Sequence, residues 1–156
     1  MIPLEEFKKI VKNTVLVAID LIIENPDGKI LLGLRKNNPA KGFLFVPGGR
    51  IFKNESFGKA LKRISKEEIG IEIDKNDVEL MGIYEHIYKE NYFEDRSFNT
   101  HYVVIACKTK LDINSVYNNS QHKNMFFMSK KELLNSKVVH QLTKNYFVNN
   151  APPNKF

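Results

Sequence analysis

The sequence predicts an α/β fold in which helices pack on a central mixed β-sheet. Segments follow one another in the order helix, strands, glycine turn, helix, strands and helix. The strand segments are rich in β-branched residues, as half-buried and buried strands are. Neither the glycine fingerprint of a doubly wound dinucleotide fold nor a P-loop occurs in the sequence. A chain of 156 residues suffices for one domain with a hydrophobic core, so we predict a single domain over residues 1–156.

Charge and composition limit the classes of partner. The net charge of +6 comes from 24 Lys and Arg against 18 Asp and Glu, spread along the chain. Such a balance gives a solvated basic surface or favours an anionic substrate such as a phosphate ester. No block of Lys and Arg interleaved with aromatic residues stands out, so we expect no nucleic-acid partner.

The cysteine and apolar content points to the cytoplasm. Cys107 is the only cysteine, so no disulfide framework forms within the chain, as suits a reducing compartment. The longest apolar run, residues 15–23, is interrupted by Asp20 and is too short to span a bilayer, so we expect no membrane partner. The N-terminus carries Glu5 and Glu6 and lacks a signal-peptide pattern.

The first half of the chain begins with a helix and a hairpin. Residues 3–12 have apolar side chains at helical spacing, which predicts an amphipathic helix packed on its own domain or on a partner chain. Residues 14–24 predict a buried strand in which Asp20 needs a partner, expected to be an arginine. A turn at residues 25–28 leads into a strand over 29–35, and Arg35 ends it where a loop begins, a common position for binding residues.

A tight glycine turn precedes the central helix. Residues 36–42 form a predicted loop, residues 43–46 a short strand, and Pro47, Gly48 and Gly49 a turn. The helix that follows ends at Gly70, with Asn54 as its expected cap. Arg50 lies between turn and helix, where it is well placed to bind an anion.

The second half alternates strands and loops before it ends in helices. We predict strands over residues 79–90, 100–110 and 124–128, loops over 91–99 and 111–123, and helices over 130–135 and 138–149. The loop over 91–99 is a candidate lid over a pocket. His101 and His140 are expected to be structural.

Two adjacent carboxylates differ in their position on the central helix. The apolar stripe of this helix consists of Phe57, Ala60, Leu61 and Ile64. Glu68 falls inside the stripe, whereas Glu67 falls just outside it, one turn beyond Arg63. An i,i+4 pair with Arg63 explains Glu67. A carboxylate on the buried side is costly unless it is paired, protonated or bound to a metal, so we interpret Glu68 as functional.

The spacing around this helix resembles the box of the Nudix hydrolases. The matching positions are Gly49, Glu55, Arg63, Glu67, Glu68, Gly70 and Ile71. Two positions depart from the family pattern: Ile64 stands where a Glu is usual, and Ser65 where an aliphatic residue is usual. Glu55 is expected to cap the helix or support the site. This truncated box and its flanking segments resemble the GDP-mannose mannosyl hydrolases, a Nudix branch, which implies the Nudix α/β/α sandwich with a central mixed sheet.

The resemblance also implies a reaction. Water attacks C1 of the sugar of GDP-mannose or GDP-glucose, the C–O bond breaks with inversion, and GDP leaves with one Mg²⁺, for which Mn²⁺ can substitute. The implied metal ligands are the Gly48 carbonyl, Glu68 and Gln121, and the implied general base is His122. Arg35, Arg50 and Tyr102 would stabilise the departing GDP. Asp20 would pair with Arg35 or the sugar, and His86 would lie near the sugar. The helix around Phe7 would contribute to a homodimer and to the nucleotide pocket.

Chemistry agrees with these roles. Mg²⁺ prefers oxygen ligands, and a neutral histidine is suited to deprotonating water near pH 7.

Two alternatives stay open at this point. One is a conventional Nudix diphosphatase that cleaves a P–O bond in a nucleotide or nucleotide-sugar. The other is a non-catalytic Nudix module that binds a nucleotide or a regulatory partner, which the loss of a carboxylate at Ile64 makes conceivable.

Overall fold

The computed structural model describes residues 2–113 and 125–148. Its helices are α1 Leu4–Asn13, α2 Phe57–Ile69, α3 Lys130–Asn135 and α4 Gln141–Lys144, with 3-10 turns at Lys75–Asp77 and Asn145–Phe147. Its strands are β1 Leu16–Glu24, β2 Ile30–Leu34, β3 Leu44–Phe45, β4 Gly48–Arg50, β5 Glu79–Tyr88, β6 Thr100–Lys110 and β7 Met125–Met128. In this part of the chain, no helix is long and apolar enough to cross a membrane.

The strands form one mixed sheet, which confirms the predicted fold class. Strands β3, β2, β1, β6 and β5 follow in this order, while β4 pairs with β1 and β7 pairs with β2. The central pair β1 and β6 is parallel, and the other pairs are antiparallel. Strand β1 therefore has β6 along one side, and β2 and β4 share its other side.

Two apolar clusters cover the two faces of this sheet. Ile19, Leu21 and Ile23 pack under α2 together with Leu61 and Ile64. The alternate β1 residues Ala18 and Ile22 belong to the other cluster, which includes Tyr84, Leu133 and Tyr146. This alternation follows from the two-residue period of a strand, and it puts Asp20 on the face away from α2.

Helix α2 is stopped at both ends by local chemistry. The Ser56 side chain caps its start by accepting a hydrogen bond from the Lys59 backbone N–H at 3.4 Å. Gly70 ends it in the left-handed conformation, with φ of 77°. The predicted cap, Asn54, is therefore wrong; Asn54 instead occupies a turn with a positive φ of 64°.

Two further predictions are corrected. The predicted glycine turn contains a short strand, β4, whose three residues pair with Ala18, Ile19 and Asp20 of β1. The predicted helix over 138–149 begins later, because Val139 makes a parallel bridge with Leu44 before α4 starts. The single-domain organisation of residues 1–156 stays a prediction.

Candidate active site

A cavity of about 600 Å³ collects most of the predicted site residues, and its volume is typical of ligand sites. Seven of the ten residues line it, namely Asp20, Arg35, Gly48, Arg50, Glu68, His86 and Tyr102. The eighth, Phe7, lies 4.1 Å from the Arg50 guanidinium, measured to the ring centroid. Gln121 and His122, the predicted metal ligand and base, lie outside the described residues.

Two arginines supply positive charge to the cavity, and each lies over aromatic rings. The Arg35 guanidinium, just past the end of β2, is 5.0 Å from the Phe45 ring and 6.0 Å from the Tyr88 ring. Such contacts hold a guanidinium in place while its N–H groups remain able to bind phosphate oxygens. Arg35 is therefore suited to contact an anionic ligand.

Arg50 ends strand β4 and lies over Phe7 and also over Phe52, at 5.5 Å. Burial lowers the pKa of the Arg50 guanidinium, which Tyr102 opposes and the charge of Arg63 reinforces. An arginine keeps its charge at neutral pH despite such a shift. Burial also raises the pKa of the Tyr102 hydroxyl, which therefore stays a neutral hydrogen-bond donor in this cavity.

Asp20 lies in the cavity wall with a partner that the sequence did not predict. Its Oδ2 accepts a hydrogen bond of 2.7 Å from the Tyr146 hydroxyl. Burial raises the pKa of Asp20 to about 6, against the effects of the Tyr146 hydrogen bond and the Arg35 charge, while Glu68 raises it further. The expected arginine partner is thus corrected: Arg35 acts as a nearby charge, and Tyr146 makes the hydrogen bond.

His86 is a buried neutral histidine beside the same tyrosine. Its Nε2 lies 3.2 Å from the Tyr146 hydroxyl, and its Nδ1 lies 3.5 Å from the Tyr88 hydroxyl. Burial lowers the pKa of His86 to about 4, with smaller effects from His140 and Arg35. His86 therefore presents an uncharged imidazole to the cavity at neutral pH.

Gly48 allows Asp20 and β4 to approach closely. The two residues are paired across β1 and β4. A Cβ on Gly48 would collide with the Asp20 Oδ1 and lie 2.8 Å from the Ile19 carbonyl oxygen. No larger residue fits here without a shift of the backbone.

Two of the predicted metal ligands, Gly48 and Glu68, line this cavity. Glu68 is half-buried and lines the cavity together with Gly48. Among residues 2–113 and 125–148, no cluster of three or more His, Cys, Asp or Glu could hold a metal ion. A carboxylate and a backbone carbonyl are hard oxygen ligands of the kind that Mg²⁺ accepts when it also keeps waters and binds substrate phosphates.

The remaining box carboxylates pair with an arginine. Arg63 Nε and Nη2 donate to the two Glu55 carboxylate oxygens at 2.7 and 2.8 Å, and its Nη1 donates to Glu67 Oε2 at 3.0 Å. This confirms the predicted pair of Arg63 with Glu67, whose side chain is 54% exposed. Arg63 Nη2 also donates to the Arg50 carbonyl oxygen at 2.9 Å, so the Glu55–Arg63 pair connects α2 to the cavity-lining β4.

The two histidines predicted to be structural pair with residues outside the predicted site. His101 faces away from the cavity, with Nε2 3.3 Å from Glu85 Oε1. His140 caps α4 by accepting from the Leu142 N–H at 3.2 Å, and its ring stacks on Phe45 at 4.8 Å. His140 thus supports the aromatic ring over which Arg35 lies.

Sequence reasoning missed Tyr88, Tyr146 and Phe45 as site residues. The alternation of β5 put Tyr88 on the same face as His86, which was a usable signal. Tyr146 gave none, because it is 126 residues away from Asp20 along the chain.

Known proteins are similar to this chain in sequence and in fold. A model of the NUDIX domain matches residues 14–147. The chain is 38% identical over 124 residues to the low-salt glycan biosynthesis protein Agl8 of Haloferax volcanii, over 80% of this chain and 77% of that protein. It is 48% identical over 68 residues to an ADP-ribose pyrophosphatase of Methanocaldococcus jannaschii, over 44% of this chain and only 38% of that protein.

Solved structures agree on the fold. A MutT protein from Methanosarcina mazei Go1 superposes with a TM-score of 0.67 at 20% identity, over 85% of this chain and 90% of that one. A MutT NUDIX hydrolase from Burkholderia pseudomallei has a TM-score of 0.67 at 23% identity, over 86% of this chain and 96% of that one. From the match over residues 14–147 and the shared fold, the chain belongs to the Nudix hydrolase family.

Proposed function

We propose that this Nudix hydrolase is a Mg²⁺-dependent GDP-sugar hydrolase. Water attacks C1 of the sugar in GDP-mannose or GDP-glucose, the bond from C1 to the phosphate oxygen breaks with inversion, and GDP and free sugar are released. The observation that carries the proposal is the mixed chemistry of one cavity, where Arg35 and Arg50 line the same space as Asp20 and His86.

The arginines match the diphosphate of such a substrate. GDP gains negative charge as the C1–O bond breaks, and fixed guanidinium groups stabilise that charge in a site shielded from water. Tyr102 adds a neutral hydroxyl donor on the same cavity lining. These three side chains act on the leaving group and leave C1 open to water.

Asp20 and His86 match the sugar. An ionised carboxylate accepts hydrogen bonds only, and a neutral imidazole accepts through its unprotonated nitrogen. Asp20 therefore suits the hydroxyl donors of a hexose, and His86 lines the same cavity without adding charge. Asp20 also places negative charge near the site where C1 becomes positive in an oxocarbenium-like transition state.

Glu68 and the Gly48 carbonyl are the proposed cation ligands in the described residues, with Gln121 as the third. The chemistry that a bound Mg²⁺ supplies is neutralisation of charge on the diphosphate. Ile64, at the position of a usual family carboxylate, is buried, and its Cγ1 would lie 3.0 Å from a Cβ on Gly49. A side chain used for packing here supports one ion rather than several.

His122 is the proposed base. Attack with inversion needs a base on the side of the sugar opposite the diphosphate. His122 precedes by three positions Met125, which begins β7 and lines the cavity. Such a base contributes about 10²–10⁴-fold to the rate.

The relatives support two different reactions. The name of the Haloferax protein refers to glycan biosynthesis, which favours a substrate that contains a sugar. The name of the Methanocaldococcus protein refers to ADP-ribose pyrophosphatase activity, which favours P–O cleavage as the second candidate, although that match spans 68 residues.

Hydrolysis in ¹⁸O water separates the two candidates. Purified protein with Mg²⁺ is given GDP-mannose, GDP-glucose and ADP-ribose, and the products are analysed by mass spectrometry and by NMR of the anomers. We expect label in the free sugar and an inverted anomer. Label in a phosphate product would overturn the proposal in favour of the diphosphatase.

His122→Gln tests the base, and His101→Gln is its matched control. We expect His122→Gln to lower kcat by roughly 10²–10⁴-fold. His101→Gln should leave kcat unchanged, because His101 faces Glu85 away from the cavity. An unchanged kcat in His122→Gln would disprove the base assignment, and absence of turnover in the wild type would favour the non-catalytic module.

The proposal also includes the domain organisation, the cellular compartment and the oligomeric state. We expect one domain over residues 1–156, a cytoplasmic protein and a homodimer to which α1 contributes. In the structure, α1 also packs on its own chain, with Lys8 Nζ 2.8 Å from Asp95 Oδ2. Light scattering of the purified protein measures the dimer directly.

A further inference from the structure

One buried hydroxyl connects two groups of the cavity wall. Tyr146 lies in the 3-10 turn that follows α4 and is 6% exposed. Its oxygen lies 2.7 Å from Asp20 Oδ2 on β1 and 3.2 Å from His86 Nε2 on β5. Asp20 and His86 line the cavity, whereas Tyr146 lies behind them. The hydroxyl can therefore act on a ligand only through these two side chains.

The direction of each hydrogen bond follows from donor counting. An ionised carboxylate only accepts, so the single O–H of Tyr146 points to Asp20. The tyrosine oxygen then has only lone pairs left for His86, so it accepts from a protonated Nε2. The neutral His86 ring carries one proton, and its Nδ1 is therefore the acceptor, with the Tyr88 hydroxyl 3.5 Å away.

Packing fixes the position of this hydroxyl. The Tyr146 ring meets the Tyr84 ring edge to face at a centroid distance of 4.7 Å and an angle of 84°. It also lies 5.9 Å from the His86 ring. A buried ring held on two sides keeps its oxygen between the same two partners.

We propose that Tyr146 is a positioning residue, whose hydroxyl orients the Asp20 carboxylate and holds His86 in the tautomer protonated at Nε2. The cavity then offers the Asp20 carboxylate as a hydrogen-bond acceptor of fixed direction, while the His86 Nδ1 lone pair faces the Tyr88 hydroxyl. A ligand group that meets the Asp20 carboxylate must be a donor, such as a sugar hydroxyl, and this last step rests on the proposed function.

The tautomer is measured on the metal-free, substrate-free protein at pH 7.5. Long-range ¹H–¹⁵N correlation spectra of ¹⁵N-labelled wild type, Tyr146→Phe and Tyr84→Phe are compared, and His86→Gln assigns the signal. Tyr84→Phe is the matched control, because it also removes a tyrosine hydroxyl, from the ring that packs against Tyr146. The Tyr84 hydroxyl makes no hydrogen bond with the described residues, unlike that of Tyr146.

We expect a His86 Nε2–H signal protected from exchange in the wild type and in Tyr84→Phe. In Tyr146→Phe this protection should be lost and protonation should move toward Nδ1. A wild-type ring protonated at Nδ1 would overturn the proposal without any variant, and so would a folded Tyr146→Phe protein with an unchanged His86 signal.

Kinetics separates positioning from general damage. We expect Tyr146→Phe to lower kcat for GDP-mannose on the order of 10- to 100-fold, the effect of losing a hydrogen bond to a charged group. The Kd of GDP, measured by calorimetry, should not change, because GDP lacks the hexose that Asp20 would contact. Equal losses in GDP binding would assign Tyr146 a merely structural role. The tautomer measurement needs no substrate, so it stands even if the reaction proves to be P–O cleavage.

Discussion

Asp20 gives the cavity a carboxylate, and the burial of this group lowers the stability of the fold at neutral pH. Burial raises its pKa from 3.8 to about 6. The folded protein therefore holds this proton more tightly than the unfolded chain does. The contribution of Asp20 to the free energy of unfolding is largest below pH 4 and is lost as the pH rises from about 4 to 6.

We predict that Asp20→Asn stabilises the metal-free protein above pH 7. The amide keeps an oxygen that accepts from Tyr146 but carries no buried charge, so the gain is about 3 kcal/mol at most. Near pH 4, the two proteins should be equally stable. Urea unfolding in the presence of EDTA from pH 4 to 8 measures this difference, and a difference independent of pH would contradict the explanation. The variant should also lose turnover.

Helix α2 ends with a hydrogen bond that depends on one of its departures from the family pattern. Ser65 is fully buried, and its Oγ accepts from the Ile73 backbone N–H at 2.9 Å and donates to the Lys62 carbonyl oxygen at 3.1 Å. An aliphatic residue, usual at this position, cannot accept from Ile73. The serine thus holds the chain that reverses at Gly70 against the helix.

Ser65→Ala should lower the free energy of unfolding by about 1–3 kcal/mol, because the buried Ile73 N–H loses its acceptor. Ser136→Ala is the control, since Ser136 Oγ also accepts a backbone N–H, that of Val138 at 3.3 Å, but at the surface where water replaces it. Urea denaturation of both variants tests this. Equal small losses would show that the Ser65 bond contributes little.

The two carboxylates at the end of α2 should differ in their effect on the metal. Glu68 lines the cavity, and Glu67 pairs with Arg63 on the exposed side. Loss of a residue that only supports a metal ligand weakens metal affinity by roughly 10–100-fold. Glu68→Gln removes a proposed ligand itself, so it should raise the Mg²⁺ concentration for half-maximal activity by at least that factor. Glu67→Gln should change it far less. Equal shifts in Mg²⁺ titrations would refute the argument from the helix face.

Across the molecule, one buried amide connects a loop, the N-terminal helix and Arg50. Asn91 is 1% exposed, and its Nδ2 donates to the carbonyl oxygens of Asp95 at 2.6 Å and Phe98 at 2.8 Å. The loop that it organises reaches α1, where the Phe93 ring lies 5.9 Å from the Phe7 ring. Phe7 in turn lies against Arg50, so the loop supports the cavity from outside.

Asn91→Ala should loosen residues 91–99 and α1 together. Four hydrogen bonds of the side chain are lost, two donated and two accepted from the Phe93 and Asp95 N–H groups. We expect faster hydrogen exchange in both segments and weaker GDP binding, by mass spectrometry and calorimetry. Asn135→Ala is the control, because it removes an exposed hydrogen bond from the Asn135 side-chain amide to the Lys131 carbonyl oxygen. Faster exchange confined to the loop would show that α1 is held independently.

The sequence predicted the fold class because its strands and helices have strong local patterns. The strand over Thr100–Lys110 and the helix over Lys130–Asn135 were predicted with the bounds that the structure has. Strand β4 was missed, since three residues cannot show a period and only pairing with β1 makes them a strand. Asn54 and Ser56 are both good caps, and their neighbours' backbone decides between them.

The site was predicted mainly through resemblance, and its hydrogen-bond partners were not. The resemblance named seven residues that the folded chain brings to one cavity. Tyr146 was not among them, because a contact between a C-terminal turn and the first strand leaves no local pattern. The partner of Asp20 therefore followed only from the three-dimensional packing of β1, β5 and this turn.

The contact of Gly48 with Asp20 constrains how this chain can evolve. A side chain at position 48 would occupy the space of the Asp20 carboxylate, so position 48 cannot change while Asp20 keeps its place. A lineage that acquires alanine at position 48 must lose the acid at position 20 and must also shift the backbone at Ile19, whose carbonyl oxygen would lie 2.8 Å from the new Cβ. The order of mutations therefore matters, and among descendants of this protein glycine at position 48 should persist wherever Asp20 is retained.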